Sequence, residues 1–241
     1  MSGVDGVATR ATAQGASAVL TACLTFVVLT ALAMLEYPGG SLHPPGTHHY
    51  IFSENFLGDL GVTKTAAGFS NTSSCVLFVI AMTCVGISLI AFAGSWHAIA
   101  ESRGIPVRTA WVYKWSATGS GLCFLGVGLT PWNLLPSVHK VLAWAAFALL
   151  AVFVVALVDV QRLNRWPKRY VLANSLYLAV MATYVLILVS GQSTSTHGGL
   201  VLQVASQKIM VCSSILNLGF QAYGIRKALR PSRAAVQTAH R

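Results

Sequence analysis

Six stretches of this chain are continuously apolar and long enough to cross a bilayer: Ala16–Leu35, Ser73–Ala93, Tyr113–Leu129, Pro136–Val158, Val171–Ser190 and Leu200–Tyr223. A spanning helix takes about 20 mostly apolar residues at about 1.5 Å each, against a hydrocarbon core of about 30 Å. A membrane barrel would instead show segments of about 10 residues that alternate apolar and polar. The expected fold is therefore all-α: a polytopic membrane protein with six transmembrane helices in one bundle. Residues 1–15 form an N-terminal segment, 16–225 the transmembrane domain and 226–241 a basic tail. The first apolar run exceeds the usual signal-peptide core, so it reads as an uncleaved first helix.

Composition agrees. Of the 241 residues 55% are hydrophobic and only 9% charged, where a soluble domain carries about 25% charged residues. A soluble enzyme, a nucleic-acid-binding domain and a disordered chain are excluded on that ground. The net charge of +10 needs no nucleic acid. Thirteen Lys and Arg fall in the N-terminal segment, the second and fourth connections and the tail, against three (Lys64, Lys140, Lys208) on the other side. The positive-inside rule then places both termini in the cytoplasm, and the basic tail meets anionic headgroups. In a prokaryote this is the plasma (inner) membrane.

Span three carries Gly119, Gly121, Gly126 and Gly128. Small residues let helices approach closely in lipid, which predicts a central position for that span. The five Cys are spaced for neither disulfides nor zinc, and no cofactor or metal is expected.

The polar chemistry gathers on the exterior side. Three of the six acids, Glu36, Glu54 and Asp59, lie in the long first connection, Glu36–Ser70, and five of the seven His (His43, His48, His49, His139, His197) share that side. Phe52, Phe56 and Leu60 recur at i, i+4, i+8, which predicts a short interfacial helix over Phe52–Leu60 with that stripe buried. Asn55 and Asp59 are then neighbours at i, i+4. Pro136 suits the first turn of span four and sets His139 in its opening turns. Gln207 and Lys208 lie early in span six. A lysine there can snorkel to the interface, or point inward, where it needs a partner such as Asp59.

Four readings of this constellation stay open: a solvated loop, a polar pocket for a lipid headgroup or similar ligand, a metal site through His43, His48, His49 and Glu54, and acid–base chemistry by Asp59 or Glu54 with His139. The expected function is an exterior-facing pocket for a membrane lipid, with Ser53, Asn55, Asn71, Gln207 and Lys208 as ligand-binding residues. Its enzymatic form is a lipid hydrolase or transferase with Asp59, Glu54 and His139 as the catalytic set. A non-catalytic scaffold and a small transporter are the alternatives.

The run Phe52–Gly61 followed by Asn71, together with Gly128-Leu-Thr-Pro131 leading to His139, resembles an uncharacterised prokaryotic membrane family catalogued as domain of unknown function 998 and related to the Frag/DRAM/Sfk group. The resemblance implies six helices and one exterior polar site built from the first loop, His139 and the start of span six at Gln207-Lys208. The His43–His49 cluster and Glu54-Asn55 lie outside that pattern.

Overall fold

The computed structural model describes residues 3–42, 46–102, 107–191 and 193–229, with side chains described except at 3–11, 95–102 and 107. It is all-helical. The elements are α1 (Gly3–Glu36), a 3-10 helix η1 (Leu57–Gly61), α2 (Thr72–Ser102), α3 (Val107–Leu129), α4 (Pro136–Leu163), α5 (Lys168–Val189) and α6 (His197–Leu229). The only β-type pairing among the described residues is one isolated bridge, Lys64 with Ser70. Five helices, all but α3, are long and apolar enough to cross a membrane. α3 has the length, but Arg108, Lys114 and its Ser, Thr and Gly residues lower its hydropathy.

Each helix packs against its neighbours in the chain, and α6 closes onto α1. The six helices thus form a closed ring. α3 sits between α2 and α4, which corrects the expected central position: its small residues serve two close neighbours on the rim. A Cβ on Gly121 would lie 2.6 Å from the Gly86 carbonyl oxygen, and one on Gly128 would meet Met82 at 2.9 Å. On the other side Gly119 faces Leu149, Gly126 faces Leu142, and Ser120 Oγ donates 2.9 Å to the Ala146 carbonyl. These pairings run in opposite senses along the chain, so α3 is antiparallel to both neighbours and lies at their depth. Without a hydrophobic drive between helices in lipid, such close backbone approach and interhelical hydrogen bonding carry the association.

A ring of four buried amides ties α4, α5 and α6 together near the end that carries Arg162, Lys168 and Arg226. Gln161 Nε2 donates to Gln221 Oε1 (2.7 Å), Asn174 Nδ2 to Gln161 Oε1 (3.0 Å), Asn217 Nδ2 to Asn174 Oδ1 (2.9 Å), and Gln221 Nε2 to Asn217 Oδ1 (3.2 Å) and the Tyr170 carbonyl (3.0 Å). Every side chain in it is buried, and each buried amide finds a partner in the ring.

At the opposite end lie the first, third and fifth connections. Here the expected helix over Phe52–Leu60 is not formed. One turn at Ile51–Asn55 stops at Phe56, whose backbone is extended (φ −67°, ψ 156°), and η1 begins after it. Asn55 Oδ1 accepts from the Ile51 N–H (2.9 Å) and Asp59 Oδ2 from the Phe56 N–H (2.8 Å). Local side chains that capture backbone N–H groups compete with the helix. The stripe splits accordingly: Leu60 is fully buried, Phe56 is half-buried and Phe52 is 63% exposed.

Candidate functional site

Two pockets flank η1, and the polar residues divide between them. The lower one lies inside the ring. Phe26 of α1, Phe78, Met82 and Val85 of α2, Phe124 and Val127 of α3, Ala143, Phe147 and Leu150 of α4, and Val211, Ile215 and Leu218 of α6 make its walls. Leu57 and Gly58 roof it, and it encloses a cavity of about 100 Å³. The polar lining side chains are His139, Gln207 and Ser214.

His139 Nδ1 lies 2.7 Å from the Thr130 carbonyl. A carbonyl only accepts, so Nδ1 carries the proton and the neutral ring leaves Nε2 as an acceptor. Nε2 points to the roof, where a Cβ on Gly58 would lie 3.7 Å from it. Gln207 Oε1 accepts from the Leu57 N–H at 3.0 Å and so fastens η1 to α6. Ser214 Oγ donates to the Met210 carbonyl (2.8 Å) and lies 3.1 Å from Tyr177 Oη, whose hydroxyl can donate to it.

The upper pocket carries more polar side chains and lies outside η1, a cavity of about 110 Å³ between walls that include Tyr37, Gly40, Ser41, Asn55, Asp59 and Trp132. Asp59 is its acid. Oδ2 accepts from Phe56 N and from Asn55 Nδ2 (3.2 Å), and Oδ1 accepts from Trp132 Nε1 (3.2 Å). Burial nonetheless pushes the carboxyl up from 3.8 to about 6, against the lowering effect of those three donors and of the Lys208 charge. The hydroxyls of Tyr37 and Tyr50 are pushed well above the usual phenol range, first by burial and then by the negative charge of Asp59. Asn133 fastens the third connection to the first: its Oδ1 accepts from Thr63 N (3.1 Å) and its Nδ2 donates to Thr63 Oγ1 (2.9 Å).

Lys208 does not pair with Asp59. Its side chain is 4% exposed, and its ammonium donates to the Asn55 backbone carbonyl. Nζ lies 4.8 Å from the centre of the Phe52 ring and 5.2 Å from that of Tyr50. A desolvated cation gains from aromatic faces, which explains why Phe52 stays out of the core. Asn55 therefore links the two charges: its carbonyl takes Lys208, and its amide donates to Asp59 and to the Gly40 carbonyl (2.9 Å).

The expected site residues thus fall into separate settings. Asp59 and Asn55 share the upper pocket, with Lys208 behind them. His139 and Gln207 share the rim of the lower one. Glu54 stands apart, its Oε2 accepting from Ser41 Oγ (3.1 Å) and its Oε1 3.2 Å from His197 Nε2. Asn71 is a brace: its Nδ2 donates to the carbonyls of Leu60 (3.1 Å) and Val62 (2.9 Å) and holds η1 to the start of α2. Ser53 is exposed. His43 lies outside the described residues, His48 and His49 are exposed, and among the described residues no group of three His, Cys, Asp or Glu gathers as a metal requires.

Trp132, Thr65 and the cavity-lining Phe residues are additions that sequence reasoning missed. The Trp132-Asn133 pair before Pro136 was their only local signal, since the other contacts are long-range. No protein-family model matches the chain, and no curated protein or solved structure does.

Proposed function

We propose that this is a six-span membrane protein, with both termini on the basic, cytoplasmic side, that holds a lipid-like amphiphile. The apolar chain lies in the lower cavity and the polar end meets His139 and Gln207 at its rim. One observation carries the reading: a cavity with apolar walls from five helices and a polar rim at one end. That pattern suits a small-molecule site, where apolar walls give affinity and a few placed polar groups give orientation. His139 Nε2 offers an acceptor and the Gln207 amide nitrogen a donor, a pair that suits a hydroxyl or carboxyl end group. The antiparallel place of α3 beside α2 and α4 supports counting it as the sixth span, which keeps the termini on one side.

Binding is favoured over catalysis because Asp59 and Glu54 lie in settings separate from the rim where His139 stands: within η1, Leu57 and Gly58 face the cavity while Asp59 lines the upper pocket. A non-catalytic scaffold is the competing reading, and it predicts an indifferent cavity. Filling the cavity tests this. Gly58→Leu thickens the roof at a position where a Cβ makes only ordinary contacts, and Val211→Phe adds a ring to the wall. In detergent-purified protein, lipid extraction and mass spectrometry should find a co-purifying amphiphile in the wild type and at least tenfold less in the double variant, with unchanged helicity. Equal lipid content in both proteins contradicts the proposal.

A further inference from the structure

The upper pocket plays no part in that reading, and its residues are different. Two features of it are unusual. Thr65 is buried, lines the pocket, and its Oγ1 has no hydrogen-bond partner. A buried hydroxyl is rarely left unpaired, because it gives up water for nothing. In the same pocket, Asp59 Oδ1 accepts a single donor, Trp132 Nε1, and so keeps a lone pair for another.

A group that satisfies both must bring donors, since a carboxylate only accepts. A donor that also carries positive charge suits the carboxylate best. Among the described residues no cation pairs with Asp59: Lys208 is directed to the Asn55 carbonyl, and Lys64 at the pocket edge is exposed. The Tyr37 and Trp132 rings are among the pocket's lining residues, and aromatic rings attract a cation. We propose that the upper pocket is a binding site for a primary ammonium group, held between the Asp59 carboxylate and the Thr65 hydroxyl. Either a free small amine or the amine of a lipid headgroup carries this chemistry.

The electrostatics agree. Burial pushes the Asp59 carboxyl up to about 6 although three donors and Lys208 all favour its charged form, so a further cation beside it would stabilise the carboxylate. The titratable groups around it are Tyr37, Tyr50 and Lys64 in the first connection, and Lys208 from α6; the third connection contributes Trp132 and Asn133, which do not titrate. Binding therefore weakens as pH falls through about 6, when Asp59 takes a proton.

Calorimetric titration of the detergent-purified protein with ethylammonium chloride, against a sodium chloride blank, tests the site. Saturable binding at pH 7.5 is expected, about tenfold weaker at pH 5. Thr65→Val removes a hydroxyl that the protein itself leaves unbonded, so folding is unaffected and affinity falls about fivefold. Asp59→Asn lowers it by more than about tenfold. Tetramethylammonium, which has no N–H, should bind worse than ethylammonium. In nanodiscs, retention of phosphatidylethanolamine over phosphatidylglycerol that Asp59→Asn abolishes identifies the headgroup as the source. Equal retention of both lipids, with ethylammonium binding intact, identifies a free amine. No saturable binding of ethylammonium, wild-type affinity in Thr65→Val, or equal binding of tetramethylammonium overturns the proposal, and a water-filled pocket is then its explanation. None of these outcomes depends on the lower cavity.

Discussion

Asn55 is the residue whose loss should be felt most widely at the loop end of the ring. Its side chain is buried and makes three hydrogen bonds: it accepts from Ile51 N and donates to the Gly40 carbonyl and the Asp59 carboxylate. A neutral bond contributes about 1 kcal/mol and one to a charged group about 2 kcal/mol, so Asn55→Ala should cost about 4 kcal/mol. The cost also depends on pH. The folded Asp59 titrates near 6, above the ordinary 3.8, so the folded state keeps a proton that the unfolded chain has released between those values. Wild-type stability from this group is therefore full below about 4 and is lost as pH rises to about 6. Asn55 favours the carboxylate; removing it raises the Asp59 pKa further and extends the loss above pH 6. The penalty of Asn55→Ala must then be larger at pH 8 than at pH 4.5. Reversible unfolding in mixed micelles, followed by circular dichroism at both pH values, measures it. A penalty below about 1 kcal/mol, or one that shrinks as pH rises, refutes the reasoning.

Three further outcomes are expected. Asn174→Leu leaves Gln161 Oε1 and Asn217 Nδ2 without the partner each has now, and should cost about 2 kcal/mol in the same unfolding assay. Gly121→Leu forces a side chain against the Gly86 carbonyl and should abolish folded protein in size-exclusion chromatography, whereas Gly94→Ala, with open space around its Cβ, should elute as wild type. Reporter fusions in the first connection near Ser41 and in the fifth near Ser195 should both score exterior; a cytoplasmic score at Ser195 contradicts six spans.

The helices were legible because an apolar run is a strong one-dimensional signal: each of the six expected stretches coincides with one of α1 to α6, and five of those helices, all but α3, are long and apolar enough to cross a membrane. Pro136 opens α4 as its fixed φ suggests. The loop was less legible. Periodicity at Phe52, Phe56 and Leu60 pointed to a helix, but Asn55 and Asp59 captured backbone N–H groups and ended it after one turn. The identity of the partner of Lys208 was equally hidden, since a backbone carbonyl and two ring faces leave no mark in sequence. The amide ring of Gln161, Asn174, Asn217 and Gln221 joins residues far apart in the chain, and each alone reads as an ordinary polar residue near a span end. The apolar cavity is a property of the ring as a whole: its Phe and Val residues have the same sequence pattern as a filled core. The likeness to the six-helix prokaryotic family rests on the residues quoted for it.

The central claim is that an apolar chain occupies the space under η1. A fatty acid bearing a photoreactive diazirine in its chain and an alkyne tag tests it most directly, by cross-linking in membranes and mapping the modified peptides. The account predicts adducts concentrated on the cavity walls, at Phe147 and Ala143 of α4 and at Val211 and Ile215 of α6, and their loss when Gly58→Leu and Val211→Phe are combined. Adducts confined to lipid-facing positions such as Leu24, Val27 and Leu216, at the same yield in the filled variant, would contradict it.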